Sequence, residues 1–299
     1  MGSPNYTPKR FKTSLRLMAA VAVLSAWTLA LVGFSSACSK EAKTFVDLMS
    51  TAPDSTGHFA YWAIDDLNED EDLWGVYARF KESANAQQLE EFVPVLAMVK
   101  QSAKAVSYDN TSLKNPVTVF HGDFDVNYIE GQLETIGCSK TPYKDIGIWT
   151  IDDKQTLFKS VALKSTAVLM GDASDLRTCI DVTLKSSTQS LKGDPNIRLV
   201  ADKLPNGVIV EIDKFNLSHG EQYPDLVAYG KSYAKADKDT LKLTAVYMFG
   251  DGPAAGAAKE QIKDHLAATF EEVKVRRDSN FVIATSRISI SEFAERLEF

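Results

Sequence analysis

Cysteine is scarce in this chain, at three in 299 residues, and histidine is almost as scarce, at four. Cys38, Cys138 and Cys179 form no C-x-x-C pair, and His58, His121, His219 and His265 lie far apart. A structural metal site therefore has no ligand spacing to rest on. H-E-x-x-H and G-x-S-x-G are missing too, and no histidine sits in a triad setting, so no catalytic residue and no cofactor is expected. The first 40 positions hold no acidic residue. Beyond Phe34 no apolar run reaches membrane-spanning length, and the body is expected to be a soluble domain.

What is present begins with Lys9, Arg10, Lys12 and Arg16, a basic region followed by the almost uncharged run Leu17–Phe34 and the small residues Ser35-Ser36-Ala37. That order is the grammar of an export signal. With Cys38 next, the segment resembles the lipobox of bacterial lipoproteins, where a cysteine behind small residues is lipid-modified and becomes the mature N-terminus. Ser36 and Ala37 fit that pattern, and Ser35 stands where Leu is usual. The resemblance covers residues 9–38. It implies a lipid on Cys38 and a protein held at the cell membrane, facing outside the cytoplasm. Two other readings of the residues stay open: cleavage after Ala37 without lipid, and an uncleaved anchor, since Leu17–Phe34 is just long enough to span. All three carry residues 39–299 out of the cytoplasm.

The chain has 33 basic and 40 acidic side chains, and removing residues 1–37, which hold four basic ones, leaves a mature net charge of −11. That argues against nucleic acid as a partner and for a body repelled from an anionic membrane surface. Residues 38–57, with Pro53, Asp54 and Gly57, read as a short tether. If lipid takes Cys38, Cys138 and Cys179 are left as an even pair in an oxidising compartment. A disulfide between them would close a loop of about 40 residues and contribute roughly 4 kcal/mol; two separate buried thiols are the alternative.

Strand-like runs occur at His58–Ile64, Lys104–Tyr108, Val117–Phe124, Tyr143–Ile151, Val161–Met170, Val208–Ile212, Leu241–Phe249 and Phe281–Ile290. Helical stripes fall at Leu73–Phe80, Leu89–Ala103, Val126–Ile136 and Ile262–Phe270, with shorter helices at Leu176–Leu184 and Ile197–Leu204. Ser174 and Asp194 are candidate caps, and Pro205-Asn206-Gly207 a stop. The resulting order is β-α-β-β-α-β, twice. It predicts an α+β fold of two tandem ferredoxin-like α/β sandwich modules, 58–155 and 156–299, which could share a sheet or swap strands.

Several motifs invite a site and each has a plainer reading. Gly250–Gly256 follows a strand and opens a helix, as a phosphate-binding turn does, yet too little chain follows for a dinucleotide fold, and a tight β-to-α turn explains it. The acidic run Asp65, Asp66, Glu69, Asp70, Glu71, Asp72 invites calcium. Glu71 stands where an EF-hand needs Gly, and Tyr77 where it needs Glu, while acids at a helix N-terminus suit the macrodipole. Ser232 and Lys235 match S-x-x-K without its companion motifs. His121-Gly122-Asp123 ends a strand.

Lys214–Asp239 stands apart as a long excursion. It carries His219, Tyr223, Tyr229 and Tyr233, with Leu226, Tyr229, Gly230 and Tyr233 on one helical face. These four polar aromatic residues are candidate contacts for a ligand or partner, or packing for a helix on the sheet. The expectation is an exported, membrane-anchored lipoprotein with a non-enzymatic binding or scaffolding role, recruiting a protein partner of the cell envelope. Capture of a solute is the alternative, and an envelope hydrolase ranks third.

Overall fold

Side chains that alternate in character at every second position mark a strand whose two faces meet different surroundings, and the longest strands here do so. The computed structural model describes residues 44–83, 98–106, 113–151, 158–185, 189–214, 223 and 225–297. Cys38, the apolar run Leu17–Phe34 and His219 lie outside the described residues. The strands are β1 (His58–Trp62), β2 (Val99–Val106), β3 (Val117–Gly122), β4 (Ser139–Tyr143), β5 (Ile146–Thr150), β6 (Ser160–Lys164), β7 (Ala167–Gly171), β8 (Ile209–Asp213), β9 (Leu226–Lys235), β10 (Thr240–Phe249), β11 (Glu271–Asp278) and β12 (Phe281–Ser289). They form one twelve-stranded sheet, in the order β11-β12-β10-β9-β8-β1-β2-β3-β7-β6-β5-β4. Every ladder is antiparallel.

This corrects the expectation of two tandem ferredoxin-like modules. A split β-α-β unit sets strands parallel across its crossover, and no parallel pair occurs among the described residues. The division near Gln155 also fails: β5 pairs with β6 across it, and β8 joins β1. Residues 43–299 make one compact unit. The apolar run Val161–Met170 is a hairpin rather than one strand, turning at Ser165-Thr166. Val99 and Ala103, at the end of the stripe from Leu89, belong to β2, and residues 89–97 of that stripe lie outside the described set.

Eight helices cover both faces of the sheet among the described residues. On one face lie α2 (Ile64–Glu69), α3 (Trp74–Glu82), α4 (Val126–Thr135), α7 (Gly252–Ala267) and α8 (Ile290–Arg296); on the other lie α1 (Phe45–Leu48), α5 (Ala173–Lys185) and α6 (Pro195–Ala201). Their starts follow sequence chemistry. Asp125, Asp194 and Asp251 each accept a backbone N–H of the helix they open, and Pro195 and Pro253 sit in first turns where a missing N–H costs nothing. Ser174 lies inside α5, which opens at Ala173. Residues 44–57 are more than a tether, because Phe45, Leu48, Met49 and Ala52 bury themselves in the second face's core.

The two outer strands are the polar ones. β4 is exposed along most of its length and carries Lys140 and Pro142; β11 bears Glu271, Glu272, Lys274, Arg276 and Arg277. Glu272 has φ +51°, and the pairing of β11 with β12 slips between Glu271 and Lys274.

β9 replaces the expected helical excursion. Ala228 lies in the core of one face and Tyr229 and Tyr233 in that of the other. Gly230 passes close under α6, where a Cβ would come within 2.7 Å of Leu204 and 2.8 Å of Val200. A side chain here would have to push Leu204 and Val200 aside.

Candidate functional site

Antiparallel register lines side chains up in rows across the sheet. One row on the first face runs Val106, His58, Asp213, Tyr229, Tyr247; the next runs Lys104, Ala60, Glu211, Lys231, Ala245; a third runs Ser102, Trp62, Ile209, Tyr233, Leu243. The intervening residues, Phe59, Tyr61, Val210, Ile212, Ala228 and Val246, face the opposite core. Two charged pairs thus lie side by side in the middle of the sheet. His58 Nδ1 is 2.9 Å from Asp213 Oδ1, and Lys231 Nζ is 2.9 Å from Glu211 Oε2.

Beside them the tyrosines form a wall. The Tyr229 and Tyr247 rings lie 4.7 Å apart at 44°, and Tyr223 meets Tyr247 at 6.0 Å. Tyr233 packs 4.5 Å from Phe293 of α8. Lys231 Nζ stands 5.8 Å from the Tyr233 ring centre, a cation over an aromatic face. Helix α7 and the residues after it border this floor with His265, Leu266 and Phe270, leaving an open trough of about 400 Å³. A smaller recess of about 130 Å³, bounded by Trp62, Phe80 and Lys104, shares His58 and Glu211 with it.

The electrostatics follow from burial and pairing. Burial pushes the Tyr229 hydroxyl well above the ordinary tyrosine value, helped by Tyr247 and Tyr233, and burial likewise raises Tyr233 and Tyr247. All three are neutral phenols at physiological pH. Burial works against a charged Lys231, but Glu211 and Tyr233 outweigh it and its pKa rises. Burial also works against His58⁺; the hydrogen bond and charge of Asp213, with the charge of Glu211, outweigh it and raise the His58 pKa. The trough is a fixed set of paired charges beside neutral aromatic rings.

Of the residues flagged from sequence, Tyr229 and Tyr233 line the trough and Tyr223 abuts its wall. They sit on or beside a strand, and are buried rather than displayed on a helix. Cys138 and Cys179 are not joined. Cys179, on α5, is buried in the core of one face, whereas Cys138 packs on the other face beyond α4, so of the two readings the sequence left open the structure has the separate thiols.

The remaining motifs resolve into local structure. Asp251 caps α7 with its own carboxylate, 2.8 Å from Ala254 N. In the acidic run, Lys235 Nζ reaches Asp70 at 2.6 Å and Asp72 at 2.7 Å. Ser232 donates to Pro205 O at 2.9 Å while Lys235 turns to those acids, because residues three apart on a strand face opposite ways. Among the described residues no group of His, Cys, Asp or Glu is arranged to hold a metal ion. Sequence reading missed Glu211, Asp213, Lys231 and Tyr247. The available signal was a charged residue at alternate positions inside an apolar strand, as in Ile209-Val210-Glu211-Ile212-Asp213.

No family model, no curated protein and no solved structure matches the chain.

Proposed function

We propose that this chain is an exported, membrane-anchored binding protein without catalytic activity, which holds a small solute in the trough between β8, β9, β10 and α7. The observation that carries the reading is a recess of about 400 Å³ that places paired charges and tyrosine rings together. Ligand sites are commonly concavities of this size, mostly apolar with a few placed polar groups. The cation and carboxylates of the floor are engaged with one another, and its phenols stay protonated, which suits recognition better than proton transfer. Recruitment of a protein partner keeps one supporting observation: Trp74 is 56% exposed on α3 and stacks 5.4 Å from Tyr77.

Native mass spectrometry of the protein extracted in mild detergent from its own envelope is the direct test. A bound small molecule is expected, and Glu211→Gln combined with Lys231→Gln should shed it while circular dichroism is unchanged. A protein that carries nothing, and whose melting temperature no member of a broad solute panel raises, removes the reading.

A further inference from the structure

We propose that the trough selects a small organic cation, an ammonium group on an apolar or aromatic body, seated on the row formed by Asp213, Tyr229 and Tyr247; this rests on the reading of the recess as a ligand site. Three observations on that row and its neighbour support it.

The first is charge. The lining holds two carboxylates, Glu211 and Asp213, against one lysine, with His58 and His265 as its two histidines. Lys231 lies directly opposite Glu211 in the ladder and meets it at 2.9 Å, so an incoming anion would have to displace a formed pair. Asp213 lies opposite Tyr229 instead. Its partner is His58, at 2.9 Å, and beside that pair it lies next to the Tyr229 and Tyr247 row rather than opposite a lysine.

The second is the rings. Tyr229 and Tyr247 meet at 4.7 Å and 44°, so their faces are inclined to each other beside a carboxylate. Aromatic faces attract ammonium groups through the ring quadrupole, more strongly where water is excluded. The protein already uses this chemistry one row away, where Lys231 stands over Tyr233.

The third is the opposite wall. Leu266 and Phe270 stand there beside His265, and with Leu243 of the floor they give the recess an apolar portion, which fits a hydrocarbon or aryl body better than a fully hydrated ion. A bare metal ion is disfavoured by the same wall.

Isothermal titration of the full-length protein in detergent with three probes of one shape separates the outcomes: phenethylammonium, 2-phenylethanol and phenylacetate. Phenethylammonium should bind at least about tenfold more tightly than either of the others. Asp213→Asn, which keeps a hydrogen-bond acceptor for His58, should weaken phenethylammonium by about tenfold and leave 2-phenylethanol unchanged. Equal or tighter binding of phenylacetate overturns the cation proposal and leaves the ligand site standing. Binding of none of the three overturns the cation proposal and counts against the ligand site as well. The comparison of probes on the wild type needs no variant to fold.

Discussion

His58 and Asp213 face each other across the β1–β8 ladder with Nδ1 2.9 Å from Oδ1, although 155 positions separate them in the chain. The pair joins the opening strand of the described sheet to one laid down much later. It gives stability a pH dependence of definite sign. Burial opposes the charged imidazole, but Asp213 and Glu211 prevail over burial and Lys231, and the folded pKa lies above the ordinary 6.5. A raised folded pKa adds stability that is fully present below the unfolded value and is lost as pH climbs through the folded one. The melting temperature of the wild type should therefore exceed that of His58→Gln most in acid, by the equivalent of about 1–2 kcal/mol, and the gap should narrow by pH 8.5. A gap that widens with pH would reverse the assignment.

Two glycine substitutions should act in opposite directions. Gly230→Ala drives a methyl into Leu204 and Val200 and should cost about 1–3 kcal/mol. Gly131→Ala, in the middle of α4 with nothing near its Cβ position, should instead stabilise by about 0.5–1 kcal/mol. Chemical denaturation of both variants, with unchanged m-values, checks the pair.

Tyr229 is core as well as cavity wall. Tyr229→Ala should destabilise by about 3 kcal/mol or more, whereas Tyr229→Phe, which keeps the ring, should lie within about 1.5 kcal/mol of wild type. Thermal unfolding of the two variants distinguishes a packed ring from a displayed one: a Tyr229→Ala protein as stable as wild type would show that the ring bears no packing load.

The cysteines should behave as separate thiols. Non-reducing mass spectrometry is expected to find no peptide joining Cys138 to Cys179. In the native protein Cys179 should alkylate far more slowly than Cys138, since it is fully buried and burial pushes its thiol up to about 12. A linked peptide pair would place both on one face of the sheet.

Maturation is tested through Cys38. In a bacterial host the wild type should take up radiolabelled palmitate and partition into detergent, and Cys38→Ala should lose the label. Label-free protein that stays in the membrane for both chains would identify Leu17–Phe34 as an uncut anchor.

Local chemistry was legible in the sequence where one period dominated. The stripe Val126, Ile129, Leu133 became α4, Asp194 became a cap, and the strand-like run Leu241–Phe249 became β10. Tyr229 and Tyr233 misled because a spacing of four fits one face of a helix and one face of a strand equally. β4 and β11 escaped notice since outer strands need no apolar pattern on either side. Ser165-Thr166 was read through because a two-residue turn inside an apolar run leaves little trace. The trough itself was invisible: it arises from the register of β1, β8, β9 and β10, and no local pattern in any one strand states which residue of another will lie opposite.

An open sheet ends in two rows of unsatisfied backbone donors and acceptors, a template for joining sheet to sheet between molecules. Here Lys140 and Pro142 guard one end, and the charged, slipped, partly left-handed β11 guards the other. That protection sets how densely copies can crowd without fusing their edges into fibres. Neutralising Lys274, Arg276 and Arg277 together would remove a barrier to polymerisation while leaving the fold of each copy intact.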